Sequence, residues 1–314
     1  MTKKIFTSMS LLLVLMFGIF TFAACGNQKT NNKLSVYASF YPLYDFARKI
    51  GGDKVEVNNL VQPGQEAHHY EPTAKQMVGM AQADLIIING VQMESWIEEL
   101  SANIKNKTLD TSQGVTLIER TKNSDNQHID DGHDEDEHIH GADDPHIWLS
   151  IKNAKIQMEN IKNKFVALDS KNKDYYQENY ERYAFLFDLL DSAYQQELST
   201  LANRNIIVSH RAFGYIANDY NLIQYSLSGI ESDTDPTPTV MAEIKDFILE
   251  NNIKAIFYQT FANSKVAELI AGSTSAKLYK LSTLESLTKA EMENGEDYLS
   301  IMAQNLMNLK KAIA

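Results

Sequence analysis

Cysteine is almost absent. The 314-residue chain has one, Cys25, so no intramolecular disulfide can form and the folded part must stand on its apolar core. Long apolar runs are missing after residue 22, and nothing beyond it approaches the roughly 20 residues of a spanning helix. Positive charge is in deficit: 29 Lys and Arg face 41 Asp and Glu, for a net charge of −12. Such a chain has little reason to bind nucleic acid or an anionic bilayer through charge, and it should attract cations. Local enzyme signatures are lacking too. There is no His-Glu-x-x-His pair, no Gly-x-Ser-x-Gly turn and no glycine-rich phosphate loop.

What is present begins with an export signal. Lys3 and Lys4 precede an almost unbroken apolar run over 9–22, and Ala23 and Ala24 lead to the single cysteine. Residues 1–24 therefore read as a signal peptide. A cysteine directly after such an exit resembles a bacterial lipobox, whose thiol takes a diacylglycerol, although Phe22 stands where these boxes usually carry Leu. Cleavage there removes two lysines and no acid, taking −12 to −14. Residues 25–33 then form the lipidated Cys25 and a polar, flexible tether. The expected location is the extracellular face of the cytoplasmic membrane, with contact to the bilayer only through that anchor.

From residue 34 the hydrophobic pattern alternates between strand and helix. Strands are predicted at 34–38, 55–61, 85–88 and 114–118, with helices at 42–50, 73–82 (Thr73 as cap) and 96–104. Residues 121–145 hold almost no apolar side chain and cannot join a core. Helix dominates 153–201, with a break near 170–172. Beyond the break Tyr176, Tyr180, Tyr183, Leu186, Phe187 and Leu190 recur at spacings of three and four, which predicts a core-facing stripe. Strands return at 206–208, 223–227, 255–258 and 277–281, between helices at 213–219, 240–250, 264–271 and 297–312. This is an α/β plan: a lobe over 34–172, a long rigid connecting helix over 173–203 and a second lobe over 204–314. Each lobe is expected to hold a parallel sheet flanked by helices, with a cleft between them. In such sheets ligands collect beyond the carboxyl ends of the strands.

Eight histidines are placed unevenly. His128, His133, His138 and His140 lie in the acidic 121–145 segment, where His-rich composition predicts auxiliary metal capture as against a merely solvated loop. His68 and His69 follow the second strand, His146 stands where order resumes, and His210 directly follows a strand. The architecture allows His68, His146 and His210 to meet at one cleft. With Glu285 as a fourth, the separations are 78, 64 and 75 residues. Spacing of that kind carries no local metal signature, and a lone histidine such as His210 is more often structural than ligating. Glu71, near His68, can be a hydrogen-bond partner for an imidazole or a helix-entry residue before Pro72.

Four segments carry a resemblance that goes further. Residues 34–43 (LSVYASFYPL) look like the opening strand and turn of the metal-binding lipoproteins serving zinc and manganese ABC importers. Residues 64–72 (GQEAHHYEP) resemble that family's first ligand motif, 144–149 (DPHIWL) its second, 208–213 (VSHRAF) its third and 281–287 (LSTLESL) its acidic fourth. The chain is identified as a member of the ZnuA/AdcA-like branch of the cluster A-I solute-binding lipoproteins. The resemblance implies metal ligands His68, His146, His210 and Glu285, with the first two from one lobe and the last two from the other. Histidine at the third position is similar to the zinc branch, whereas the manganese branch has a carboxylate there. Three imidazoles and a carboxylate suit Zn2+, and oxygen-rich shells suit manganese.

The implied function is high-affinity Zn2+ capture and delivery to an ABC importer. The partners are a zinc permease and its cytoplasmic ATPase, and the binding protein itself is expected to be monomeric. Alternatives are a manganese-importer binding protein of the same family, or a surface adhesin with a structural metal. A metallohydrolase is disfavoured, because catalytic zinc keeps an open position for water and four protein ligands would close the shell.

Overall fold

The computed structural model describes residues 33–119, 143–201, 203–227, 237–259 and 265–313. Among them lie eight strands in two sheets, every neighbouring pair parallel. The first sheet holds β1 (Leu34–Ala38), β2 (Val55–Asn59), β3 (Leu85–Ile88) and β4 (Thr108–Asp110), in the order β2-β1-β3-β4. The second holds β5 (Asn205–Val208), β6 (Ile223–Ser226), β7 (Ala255–Tyr258) and β8 (Lys277–Lys280), in the order β6-β5-β7-β8. Both halves thus use one winding, in which the first strand lies inside and successive crossovers leave it in opposite directions. That reversal leaves a crevice at the carboxyl ends of β1 and β3, and of β5 and β7.

Local chemistry accounts for the elements. The four side chains of β3 are all buried, as a strand covered on both faces requires. Helix α1 (Tyr41–Gly51) carries Pro42 in its first turn, where the missing N–H is not needed. Helix α2 (Ala74–Gln82) starts from Thr73 in a reciprocal capping box with Gln76. A short helix, α3 (Ala102–Lys105), precedes β4. Helix α4 (Ile151–Leu168) is capped by the Ser150 hydroxyl and gives way at a 3-10 turn over Ser170–Asn172 to α5 (Lys173–Ser199), the 27-residue helix between the lobes. The second half adds α6 (Gly214–Tyr220), α7 (Pro238–Glu250), α8 (Lys265–Ser273), α9 (Lys289–Glu293) and α10 (Tyr298–Ile313).

Three expectations need correction. Residues 114–118 are not a strand. The fourth strand is Thr108–Asp110, and the backbone of Thr116 is instead held on both sides by the Asn153 carboxamide. The segment 96–104 is not one helix but a 3-10 turn over Ser95–Glu99 followed by α3. Along α5, Tyr176 and Phe187 are buried and Tyr180, Tyr183 and Leu190 partly so, but Leu186 is 38% exposed and lies off the stripe.

The two sheets do not have separate main cores. One cluster takes side chains from β1, α1, α4, α5, β5, α6 and α10. At its centre Phe46 of α1, Phe187 of α5 and Tyr298 of α10 pack together. Phe187 and Tyr298 stack at 5.2 Å, and Phe46 meets Tyr298 edge-on at 4.9 Å. Among the described residues no helix is long and apolar enough to cross a membrane. The signal peptide, Cys25 and the four loop histidines His128, His133, His138 and His140 lie outside the described residues.

Candidate metal centre

Four side chains meet in the crevice between the lobes. His68 comes from the loop after β2. His146 opens the 3-10 turn Ile147–Leu149, whose Trp148 is anchored through Nε1 to the Thr283 carbonyl at 2.7 Å. His210 follows β5, and Glu285 follows β8. One ligand atom from each lies within 4.8 Å of all the others, the sole such His, Cys, Asp or Glu group among the described residues.

The geometry is that of a coordination shell. Nε2 of His146 is 3.1 Å from Nε2 of His68 and 3.2 Å from Nε2 of His210. Oε1 of Glu285 is 3.7, 3.8 and 3.9 Å from Nε2 of His68, His146 and His210. Four ligands about 2.0–2.1 Å from a tetrahedral zinc ion would stand about 3.3 Å apart. His146 already stands at this spacing from His68 and from His210, and the carboxylate needs to advance only a few tenths of an ångström.

Burial makes the arrangement costly without a cation. His146 and His210 are 0% and 1% exposed and Glu285 is 7% exposed. Among the described residues, Nδ1 of His210 and Oε1 of Glu285 have no hydrogen-bond partner. A buried carboxylate oxygen left so is expensive, and a cation would satisfy it. Burial, with His146 beside it, holds the His210 imidazole down at about 3. Its ring is therefore neutral at pH 7, as a metal ligand must be. Burial alone would raise the Glu285 carboxyl, but His68, His210 and His146 outweigh it and hold it at about 2.

Asp144 fixes the central histidine. Its Oδ1 accepts from the backbone N–H of His146 at 2.9 Å and lies 2.7 Å from the ring Nδ1. This contact places the proton on Nδ1 and aims Nε2 at the crevice. The sequence reading did not single out Asp144, although it stands in the Asp-Pro-His motif. Glu71 lies on the surface in a hollow with His69 and Asn58. The backbone beside Glu285 is strained: Leu284, fully buried, has φ of 60°, a left-handed value unusual for a branched side chain and frequent at functional sites.

Comparison with known proteins places the family. The chain is 35% identical over 301 residues to the high-affinity zinc uptake system protein ZnuA of Bacillus subtilis, covering 93% of each. It is 32% identical to the zinc-binding lipoprotein AdcA of Streptococcus pneumoniae over 96% of its own length but 60% of that longer relative. The Zn(II)-bound ZnuA-like domain of S. pneumoniae AdcA superposes with a TM-score of 0.76 at 30% identity, over 90% of this chain and 99% of that domain. Residues 36–312 match the family described as ZnuA, zinc-uptake complex component A, periplasmic, and the chain belongs to that family.

Proposed function

We propose that the chain is an extracellular solute-binding lipoprotein, held by lipid on Cys25, that captures Zn2+ and hands it to an ABC importer. The observation that carries this reading is the convergence of three imidazole nitrogens and one carboxylate oxygen within 4.8 Å of one another in the crevice. His68, His146, His210 and Glu285 are the ligands. Three nitrogens favour zinc over manganese, both by donor type and by the intrinsic affinity order. The docking partner is a zinc permease with its cytoplasmic ATPase, met by a monomer. Residues 34–172 and 204–314 act as lobes on either side of the 173–203 helix. His128, His133, His138 and His140 act as a weak, fast-exchanging capture loop that raises local zinc near the crevice.

Zinc titration of residues 26–314 beside His210→Ala and a deletion of 125–140 tests each part. One tight equivalent is expected in the parent chain. His210→Ala should weaken it by at least about a hundredfold, since losing an outer partner alone costs tenfold to hundredfold. The deletion should remove only weaker, additional equivalents. A manganese preference in the parent chain would overturn the zinc assignment, and no tight metal at all would overturn the site.

A further inference from the structure

Directly after β3 the chain makes a turn that the metal shell does not explain. Gly90, Val91 and Gln92 have φ of 82°, 53° and 59°. Val91 is β-branched, so its left-handed backbone is an outlier that persists only where the surroundings enforce it. Gly90 has no alternative, because a Cβ there would fall 2.1 Å from the Asp110 carboxylate.

Glu94 supplies the enforcement. Its carboxylate is 5% exposed and closes the turn on itself, accepting from Asn89 N at 2.8 Å, Gly90 N at 3.1 Å and the Ser39 hydroxyl at 2.6 Å. Two successive backbone N–H groups on one carboxylate form a compact anion nest. Ser39 ties the same group to the end of β1, so the turn is fixed at the topological switch point of the first sheet.

The clasped turn presents one side chain toward the metal centre. Asn89 is fully buried. Its Nδ2 donates to the Pro145 carbonyl at 2.9 Å, and its Oδ1 accepts from Gln157 Nε2 at 3.0 Å, which sets the amide's orientation. Pro145 lies between Asp144 and His146. From the other lobe, the Tyr215 hydroxyl donates to the Asp144 carbonyl at 2.8 Å. The ligand-bearing turn is thus gripped at two successive carbonyls, one from each half of the molecule.

We infer that Asn89, held by the Glu94-clasped left-handed turn, is a positioning residue that sets where His146 stands in the metal shell. This rests on the metal-binding reading above. Asn89 touches no ligand atom; it acts on the backbone that carries one. Without the Nδ2 donor, the 144–146 turn keeps its Tyr215 anchor but loses the grip from the first sheet. His146 can then drift by the few tenths of an ångström that separate a four-coordinate shell from a distorted one.

Three variants in the soluble chain from residue 26 test this, each read by chelator competition for zinc and by the visible bands of bound Co2+. Those bands are strong in a four-coordinate shell and weak in higher-coordinate ones. Asn89→Ala is compared with Asn179→Ala, a buried asparagine on α5 that likewise donates to a backbone carbonyl, Ile50 O at 2.9 Å, but outside the site. Both should lose thermal stability. Only Asn89→Ala should weaken zinc, by about tenfold or more as for other outer partners of a ligand, and dim or shift the cobalt bands. Asn89→Asp keeps the size and the oxygen facing Gln157 while removing the donor, and it serves the same comparison if the alanine variant does not fold. Cobalt bands and zinc affinity in the Asn89 variants equal to those of Asn179→Ala would overturn the inference and leave the metal site standing. A parent chain that binds neither metal tightly would overturn both.

Discussion

Asp144 Oδ1 meets both the backbone nitrogen and the ring Nδ1 of His146, so one oxygen fixes that ligand's place and its tautomer. Replacing Asp144 with Asn leaves the volume but offers the imidazole a weaker acceptor and a less basic ring. Zinc affinity of Asp144→Asn should fall tenfold to hundredfold in chelator competition. Equal affinity would mean that the contact is structural alone. How such a residue escapes a sequence reading is plain in this case. The three clustered histidines were legible through the family motifs that carry them, but an acid two residues from His146 becomes its partner only through the turn at Pro145. That turn's dihedral angles are not written in residue types. The Asn89–Glu94 clasp was hidden for the same reason, since its left-handed Val91 violates every local preference.

At the scale of elements, legibility followed the hydrophobic pattern. The strands expected at 34–38, 85–88, 206–208, 223–227, 255–258 and 277–281 match the structure to within a residue, most plainly β3, whose four side chains are all apolar and all buried. β4, an edge strand of three half-buried residues, has no such pattern, and Val115, Leu117 and Ile118 mimicked one while Thr116 among them bonded to the Asn153 side chain and Ile118 N to the Tyr215 hydroxyl. α1 and α10 show a contact that neither helix reveals alone. Lys49 Nζ lies 2.7 Å from both Asp45 and Asp297, and Asp45 also accepts from Tyr298 N. Burial raises the Asp45 carboxyl, opposed by Lys49. Removing one member of a buried ion group strands the rest, so Lys49→Met should cost about 3 kcal/mol in urea unfolding. The sign of its pH dependence follows. Without Lys49 the folded-state Asp45 rises further above its unfolded value, and a raised carboxyl contributes stability that is lost as pH climbs through the folded value. The variant should therefore lie nearer to wild type at pH 5 than at pH 8. A deficit independent of pH would show that the lysine acts by packing instead.

On the scale of the molecule, the metal crevice lies between two sheets that share one core and are stapled at several points around the site. Trp148 reaches Thr283, Tyr298 reaches the Trp148 carbonyl at 2.6 Å, Ser150 reaches Asp219 at 2.6 Å, and Tyr215 reaches Asp144. A hinge that swung the lobes apart would have to break these bonds and unstack Phe187 from Tyr298, most of them in the interior, where packed contacts are bistable and not continuously deformable. The loop carrying His68 is held more lightly. Its ties to the far lobe run through the Ser286 hydroxyl, which accepts from Gly64 N at 2.9 Å and donates to the Gln62 carbonyl at 3.3 Å, and residues 62–65 are exposed. Capture and release should then run through this loop and the Leu284–Ser286 turn while the lobes stay still. Small-angle scattering of metal-free and zinc-loaded protein should give superimposable curves, whereas amide exchange over 62–70 and 284–287 should slow on loading. A radius of gyration that contracts with zinc would show that the staples open, and would place the moving part in the α5 connection and not in the His68 loop.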